Sequence, residues 1–263
     1  MDFSKIKMVV SDMDGTLLNS NHEVSNRFFE IFEALRDKNI QFVAASGRQY
    51  HSMADKLEPI KNDVIFVAEN GAYIKQKEQV LLTTPIAKKS ITSILSSISR
   101  VPHAHPVLCS KDNAYVNGNS NAFLEMLREY YTEFKIVDNQ TEVEDEVLKV
   151  AIYHFESSEE HIYPAVKHLE NSLKVKVSGS NWVDVSHKNA HKGYALEKLM
   201  QAHNITSDEI MVFGDYNNDL EMLQLSNYSY AMANAHPNVK EVAKFETLSN
   251  DDFGVERILE KVL

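Results

Sequence analysis

Cysteine and long apolar segments are scarce in this 263-residue chain, and each shortage argues against a class of protein. Cys109 is the single cysteine, so no internal disulfide can form and a secreted, disulfide-stabilised scaffold is excluded. No apolar run approaches the ~20 residues that a membrane-spanning helix needs, and the first residues, MDFSKIK, hold no apolar signal-peptide segment. We therefore expect a soluble protein of the reducing cytoplasm, with no membrane partner.

Positive charge is also in short supply. The chain has 27 Lys and Arg residues against 38 Asp and Glu residues, which gives a formal net charge of −11. A field of this sign repels nucleic acid and anionic membranes, so we expect neither as a partner. An anionic small-molecule substrate would need a locally positive pocket. Hydrophobic residues make up 43% of the chain, an ordinary fraction for a globular protein of one large or two modest domains.

Strand and helix patterns alternate at the two ends of the chain but not in its middle. Buried apolar strands in residues 1–84 and 187–263 are each followed by a segment of helical periodicity, which is typical of a doubly wound parallel α/β sheet. Residues 85–186 mix short strands and helices without that alternation. We therefore predict an α/β core domain, formed by residues 1–84 and 187–263, that is interrupted by an α+β domain at residues 85–186.

The stretch MVVSDMDGTLLN, residues 8–19, places two aspartates where the first predicted strand ends. Asp12 and Asp14 must lie close together, and at such a distance one carboxylate keeps its proton unless a cation intervenes. Alone, a pattern of this kind is as often a polar turn as a site. The following Gly15 and Thr16 fit either interpretation, so the choice depends on the rest of the chain.

Polar side chains suited to one reaction follow further predicted elements. In a parallel sheet, ligands bind at the carboxyl ends of the strands. Carboxylate oxygens are ligands that Mg²⁺ prefers, and a hydroxyl, backbone N–H groups and a lysine can hold the oxygens of a phosphoryl group. The sequence therefore predicts a site for Mg²⁺ and phosphate. Besides Asp12 and Asp14, its predicted members are Ser46, Gly47, Lys192, Asp215, Asn218 and Asp219.

Four motifs in this order, DMDGT, SGR, HKG and GDYNND, resemble those of the haloacid dehalogenase-like phosphohydrolases. The insertion between the serine motif and the lysine motif resembles the Cof-type branch with its α+β (C2B) cap, and FVAASGRQY and FVAENGA look like its bacterial sugar phosphatases. The resemblance covers nearly the whole chain, although the cap matches by pattern more than by residues. It implies a Rossmann-like core and an inserted cap that determines substrate specificity.

The resemblance also implies a role for each predicted site residue. Asp12 corresponds to the nucleophile that forms an aspartyl-phosphate, and Asp14 to the general acid and base, with its backbone carbonyl as a metal ligand. Asp12 and Asp215 correspond to the other ligands of Mg²⁺. The expected phosphate-binding groups are Ser46, Gly47, Lys192 and Asn218. Asp219 is expected to support the metal waters or the lysine from behind these residues.

Two asparagines give structural expectations. The family often has glycine three residues before the lysine, where this chain has Asn189. Because asparagine tolerates a positive φ better than most residues, we expect Asn189 to keep that turn in the left-handed conformation. Asn70 ends the third predicted strand beside the site, and we expect it to hydrogen-bond its loop.

The leading hypothesis is a Mg²⁺-dependent phosphatase, expected to be a monomer, that hydrolyses small phosphorylated metabolites and above all sugar phosphates. A cap that closes over the strand ends would exclude water and contact the organic part of the substrate. A sugar phosphomutase shares the aspartyl-phosphate and stays an alternative. A non-catalytic phospho-receiver switch also uses aspartates, a hydroxyl residue and a lysine, but it needs no insertion and no residue like Asp14.

Overall fold

The computed structural model describes residues 2–111, 113–128, 131 and 134–263. The chain forms two compact units. The core unit ends at Leu82 and resumes at His191, and the inserted unit is Thr83–Ala190. None of the helices in the described part of the chain is long and apolar enough to cross a membrane.

Fourteen strands occur in the described residues. They are β1 Met8–Asp12, β2 Gln41–Ala45, β3 Val64–Ala68, β4 Tyr73–Gln76, β5 Gln79–Thr83, β6 Ala104–Ser110, β7 Ala114–Val116, β8 Lys135–Ile136, β9 Val147–His154, β10 Leu173–Val177, β11 Trp182–His187, β12 Ile210–Gly214, β13 Tyr228–Ala231 and β14 Phe245–Glu246.

The α-helices of the same described ranges are α1 Asn26–Asp37, α2 Tyr50–Lys56, α3 Lys88–Ile98, α4 Asn121–Leu127, α5 Tyr163–Val166, α6 Lys192–His203, α7 Leu220–Leu223, α8 Pro237–Val242 and α9 Gly254–Leu259. Single turns of 3₁₀-helix occupy Glu58–Ile60, Glu69–Gly71 and Gln140–Glu142, with a longer one at Lys167–Asn171. One π-helical turn lies at Ser158–Ile162.

The sheet of the core unit is wound in both directions from its first strand. Its order is β14-β13-β12-β1-β2-β3-β4-β5. Pairing is parallel from β14 to β3, and β4 returns antiparallel to β3. The chain therefore runs outward from β1 through β2 and β3 and later continues on the other side of β1 with β12. This topology confirms the predicted doubly wound α/β fold and places the switch point between β1 and β12.

Burial explains why the central strands read as continuous apolar runs. Every residue of β1, β3 and β12 is buried, as a strand covered on both faces requires. On one face, Phe28 and Phe32 of α1 pack against Phe42 of β2, with ring centroids 5.0 and 6.1 Å apart. Each buried ring contributes about 1.5–3 kcal/mol relative to exposure. Ser25 caps the start of this helix, since its Oγ accepts from the Phe28 N–H at 3.0 Å.

The inserted unit contains a six-stranded sheet of order β10-β11-β9-β6-β7-β8. Its pairs are antiparallel except for β7 with β8. The largest core cluster of this unit unites α3 and α5 with one face of the sheet, and a smaller cluster unites α4 with the other. A longer helix over residues 121–131 is predicted from the sequence, but Glu129 and Tyr130 lie outside the described residues.

Two local predictions for the inserted unit need correction. The sequence predicts one helix over residues 158–172, but the segment is helical from Ser158 to Asn171 and in three successive geometries, because Pro164 has no N–H to donate to the preceding turn. The expected positive φ of Asn189 is wrong: Asn189 is not among the non-glycine residues with positive φ in the described chain. The turn before Lys192 instead closes with the Ala190 N–H donating to the His187 carbonyl at 2.9 Å.

Candidate active site

A cavity of about 390 Å³ opens in the core unit where β1, β2 and β12 end. Because β1 pairs with both β2 and β12, the residues that follow these strands meet at one edge of the sheet. Six of the eight predicted site residues line the cavity, together with Arg48 and Tyr216. The lining residues are Asp12, Asp14, Ser46, Gly47, Arg48, Asp215, Tyr216 and Asn218.

The other two predicted residues form a buried ion cluster with Asp12. Lys192 is the first residue of α6, and His191 caps that helix by accepting from the Tyr194 N–H at 3.2 Å. The Lys192 ammonium hydrogen-bonds Asp12 Oδ1 and lies 2.7 Å from Asp219 Oδ1. All three charged side chains are almost fully buried. A charge in such a place must be paired, and here one cation serves two carboxylates.

The protonation of this cluster follows from its crowding. Burial raises the pKa of Asp12 well above its usual range, and the Lys192 ammonium opposes that shift while Asp219 and Asp215 add to it. Burial alone would lower the pKa of Lys192, but the charges of Asp12 and Asp219 outweigh it and raise that pKa. The site therefore holds a permanently charged lysine beside carboxylates that lack sufficient positive charge.

Asp215 is the third carboxylate of this group. Burial, and next the charge of Asp219, raise the pKa of Asp215 to about 6. Its position depends on Gly15, where φ is +78° and a Cβ atom would lie 2.2 Å from Asp215 Oδ2. Carboxylate oxygens of Asp12, Asp215 and Asp219 lie within 4.8 Å of one another, an all-oxygen set that suits a hard cation.

Asp219 has little capacity left for a metal. Its Oδ1 accepts from Lys192, and its Oδ2 accepts from the N–H groups of Asp215 and Tyr216 at 3.0 and 3.1 Å. The carboxylate thus fixes both the lysine and the turn that carries Asp215. Of the three aspartates, Asp12 and Asp215 are the ones with oxygen atoms available to a cation.

Ser46, Gly47 and Asn218 also line the cavity. The Asn218 amide donates to Asn70 Oδ1 at 3.0 Å, and the Asn70 N–H donates to the Ser46 carbonyl at 2.9 Å. Gly47 lies against the same Asn70 amide, which a Cβ atom would approach to 3.1 Å. Asn70 has a φ of 55° and, as predicted, hydrogen-bonds its loop. It ties the segments after β2, β3 and β12 together.

Asp14 is separated from the lysine cluster in its hydrogen bonding, because it pairs with Arg48. The guanidinium binds both carboxylate oxygens, with Nε 2.7 Å from Oδ2 and Nη2 2.6 Å from Oδ1. Arg48 is braced in turn by Ser52 Oγ at 3.1 Å, and His22 Nδ1 lies 3.4 Å from Asp14 Oδ1. Burial raises the pKa of Asp14, but the hydrogen bonds and charge of Arg48 outweigh it, so that this pKa is lowered.

Arg48 is the main functional side chain that the sequence prediction left without a role. The signal was present, since Arg48 completes the SGR motif directly after two predicted phosphate-binding residues. What the motif does not reveal is the partner. Arg48 and Asp14 are 34 residues apart, and only the parallel pairing of β1 with β2 brings them together.

A doubly wound parallel sheet whose strand ends gather aspartates, a buried lysine and a hydroxyl defines a phosphoryl-transfer enzyme of the α/β class. The chain belongs to the haloacid dehalogenase-like hydrolases, whose family model matches residues 9–259. This finding confirms the membership indicated by the four motifs. The protein is a phosphoric monoester hydrolase of that family.

Individual relatives match over nearly their whole length. YbjI of Escherichia coli, a 5-amino-6-(5-phospho-D-ribitylamino)uracil phosphatase, is 29% identical over 98% of this chain and 96% of its own. The crystal structure of SMU.1108c from Streptococcus mutans is 34% identical with a TM-score of 0.83, covering 97% of this chain and 98% of that one. TM0651 from Thermotoga maritima is 29% identical with a TM-score of 0.86, covering 97% of both chains.

Proposed function

We propose that this protein is a Mg²⁺-dependent phosphatase that acts through an aspartyl-phosphate on small phosphorylated metabolites, above all sugar phosphates. The observation that carries the proposal is the Asp12 carboxylate, buried at the cavity wall with Lys192 on one oxygen and Asp215 beside it. The name of the Escherichia coli relative supports the substrate class, because its substrate carries phosphate on a ribityl chain.

The charges at the site support a divalent cation. Four carboxylates, those of Asp12, Asp14, Asp215 and Asp219, are balanced by only two cations, Lys192 and Arg48. Burial raises the pKa of Asp12 and of Asp215, and the charges of the neighbouring carboxylates add to both shifts. Asp12, Asp215 and the Asp14 carbonyl would hold Mg²⁺. The chemistry that Mg²⁺ supplies when bound is neutralisation of phosphoryl charge, which lets a carboxylate approach phosphorus.

Asp12 would attack phosphorus with the oxygen that Lys192 does not occupy. A new bond forms from this oxygen to phosphorus while the ester bond breaks, and Asp14, once it has taken up a proton from solvent against the charge of Arg48, gives that proton to the departing alkoxide. Water then attacks the aspartyl-phosphate and returns its proton to Asp14, so that phosphate leaves and Asp12 is regenerated. Ser46, the Gly47 N–H, Lys192 and Asn218 would hold the phosphoryl oxygens through both steps.

Metal dependence is the first test of the proposal. We expect the purified protein to release phosphate from p-nitrophenyl phosphate in Mg²⁺, to lose more than about 100-fold of that rate in EDTA, and to regain it with excess Mg²⁺. Mg²⁺ should also raise the thermal unfolding midpoint of the wild type by binding to the folded protein, and it should raise that of Asp215→Asn by less. A rate unchanged by EDTA would contradict the metal role. A stable phosphoryl group on Asp12 without phosphate release would contradict hydrolysis.

Arg48 is expected to position Asp14 so that Asp14 can donate a proton to the leaving group. Replacement of Arg48 by lysine keeps the positive charge but removes the bidentate hydrogen bonding to Asp14, so we expect kcat on sugar phosphates to fall about 10- to 100-fold. p-Nitrophenolate leaves without needing a proton, and the same variant should lose less than about threefold on p-nitrophenyl phosphate. Steady-state kinetics on the two substrates give the comparison.

The matched control for this experiment is Ser52→Ala, which removes only the brace behind Arg48. It should keep most of the activity on both substrates. Equal losses on the two substrates in Arg48→Lys would show that Arg48 serves phosphate binding instead of Asp14.

A further inference from the structure

Tyr216 is an exposed aromatic side chain at the wall of the cavity. Its residue is 53% exposed, although Gly214 and Asp219 of the same GDYNND motif are buried. The Tyr216 N–H donates to Asp219 Oδ2 at 3.1 Å, and the Tyr216 carbonyl accepts from the Asp219 N–H at 2.9 Å. Since Asp219 is fully buried and bound to Lys192, the backbone beneath the ring is fixed.

A second ring fixes the orientation of Tyr216. The His236 ring meets it edge to face, with centroids 5.7 Å apart and planes at 79°. His236 is itself anchored, because its N–H donates to the Asp215 carbonyl at 2.8 Å and its Nδ1 accepts from the Asn238 N–H at 3.2 Å. An aromatic pair of this geometry is favourable by about 0.5–1.5 kcal/mol, which favours this orientation of the tyrosine ring over others.

The remaining lining is polar and suited to a phosphoryl group. Among the described residues around this cavity, Tyr216 is the only one that offers an aromatic face. Aromatic faces pack on the apolar face of a sugar ring or on a flat heterocycle, but gain little from a flexible open chain. A ring held beside the phosphoryl position by two anchored residues therefore suits recognition of the organic part of the substrate.

We infer that Tyr216, braced by His236, is a specificity-determining residue that selects monophosphates whose organic group presents a ring. The inference rests on the proposed phosphatase function and deepens it, because it names a structural class of substrate. Neither residue takes part in the bond-making steps. Both act on the preference between substrates, which is measured by a ratio of kcat/KM values.

The experiment compares glucose 6-phosphate with glucitol 6-phosphate, which carry phosphate on the same carbon but differ in ring closure. We expect the wild type to prefer the ring form. Tyr216→Ala should reduce the ratio of the two kcat/KM values about three- to tenfold, the size of an aromatic packing contribution. Tyr216→Phe keeps the ring and should keep the ratio. His236→Asn preserves the acceptor for the Asn238 N–H but removes the brace, and should give a smaller loss.

The outcomes separate this inference from the proposed function. A wild type that hydrolyses both substrates without preference, or a Tyr216→Ala variant that loses activity equally on both, overturns the inference and leaves the phosphatase intact. A wild type that releases no phosphate from these substrates or from p-nitrophenyl phosphate overturns the proposed function, and the inference fails with it. A ratio that falls in Tyr216→Ala and is kept in Tyr216→Phe supports it.

Discussion

Replacing Asp12 with asparagine is expected to abolish phosphate release, with a loss of at least about 10³-fold in kcat. The amide has nearly the same shape as the carboxylate but no nucleophilic oxygen. It also removes one negative charge from the group that would hold Mg²⁺. The measurement is phosphate release from p-nitrophenyl phosphate at saturating Mg²⁺, together with mass spectrometry of rapidly quenched protein. A phosphoryl group should be trapped on residue 12 of the wild type and be absent from the variant.

Asparagine is the informative substitution because it keeps an oxygen that can accept from Lys192. The variant should therefore fold. A thermal unfolding midpoint close to that of the wild type would exclude unfolding as the cause of the lost activity. Asp208→Asn is the matched control, since it makes the same change on an exposed side chain outside the cavity. An Asp12→Asn protein that keeps more than a tenth of the wild-type rate would rule out Asp12 as the nucleophile.

The fold could be predicted well because its strongest signals are local. β1, β3 and β12 are buried on both faces, so each begins in the sequence as an unbroken apolar run, of three residues in β1, five in β3 and four in β12. The polar residues at the end of β1 and directly after β2 and β12 stand out against those runs. Parallel pairing then requires that they meet, which is why the positions of Asp12, Ser46 and Asp215 could be inferred without coordinates.

The elements that sequence reasoning missed are short or stabilised from elsewhere. β8 and β14 have two residues each, too few for any period-2 pattern. α8 begins with Pro237 behind the His236 cap, a start signal whose six-residue helix has little apolar face to reveal it. Their formation depends on neighbouring strands and loops, which a one-dimensional pattern does not contain.

The residues of the site could be predicted from the sequence, but the ion pairs that they form could not. The motifs name Asp14, Arg48 and Lys192, yet they do not say which carboxylate receives which cation. In the structure, Lys192 forms ion pairs with Asp12 and Asp219, and Arg48 forms an ion pair with Asp14. These choices depend on depth: the ammonium lies in the buried layer, whereas the guanidinium is part-exposed at the cavity. Depth is a property of the packed sheet and its helices, not of residue spacing.

Lys192 therefore has two roles. It positions the proposed nucleophile Asp12, and it balances the negative charges of the buried Asp12 and Asp219. The attraction of Lys192 to Asp12 and to Asp219 offsets the free-energy cost of burying its ammonium group. Loss of the lysine leaves Asp12 and Asp219 facing each other without compensation. Loss of a carboxylate instead leaves a lysine with one remaining partner, a milder change. The stability of the core unit should thus be more sensitive to residue 192 than to residue 219.

Replacing Lys192 with methionine is expected to lower the free energy of unfolding by about 3–5 kcal/mol, the usual effect of breaking a buried ion pair from one side. In a chain of this size that corresponds to a fall of roughly 6–20 °C in the unfolding midpoint. Calorimetry in EDTA is the measurement. Lys198→Met, on the same helix but with Nζ donating to the exposed Gln201, should change the midpoint little.

A double variant tests the cause of that loss. Asp219→Asn removes one unpaired charge and keeps an oxygen for the N–H groups of Asp215 and Tyr216. Combined with Lys192→Met, it should recover part of the lost stability, so that the two effects are not additive. Additive losses, or a Lys192→Met protein as stable as the wild type, would mean that the lysine does not neutralise this cluster. Recovery without renewed phosphate release would separate its contribution to stability from its proposed contact with the phosphoryl group.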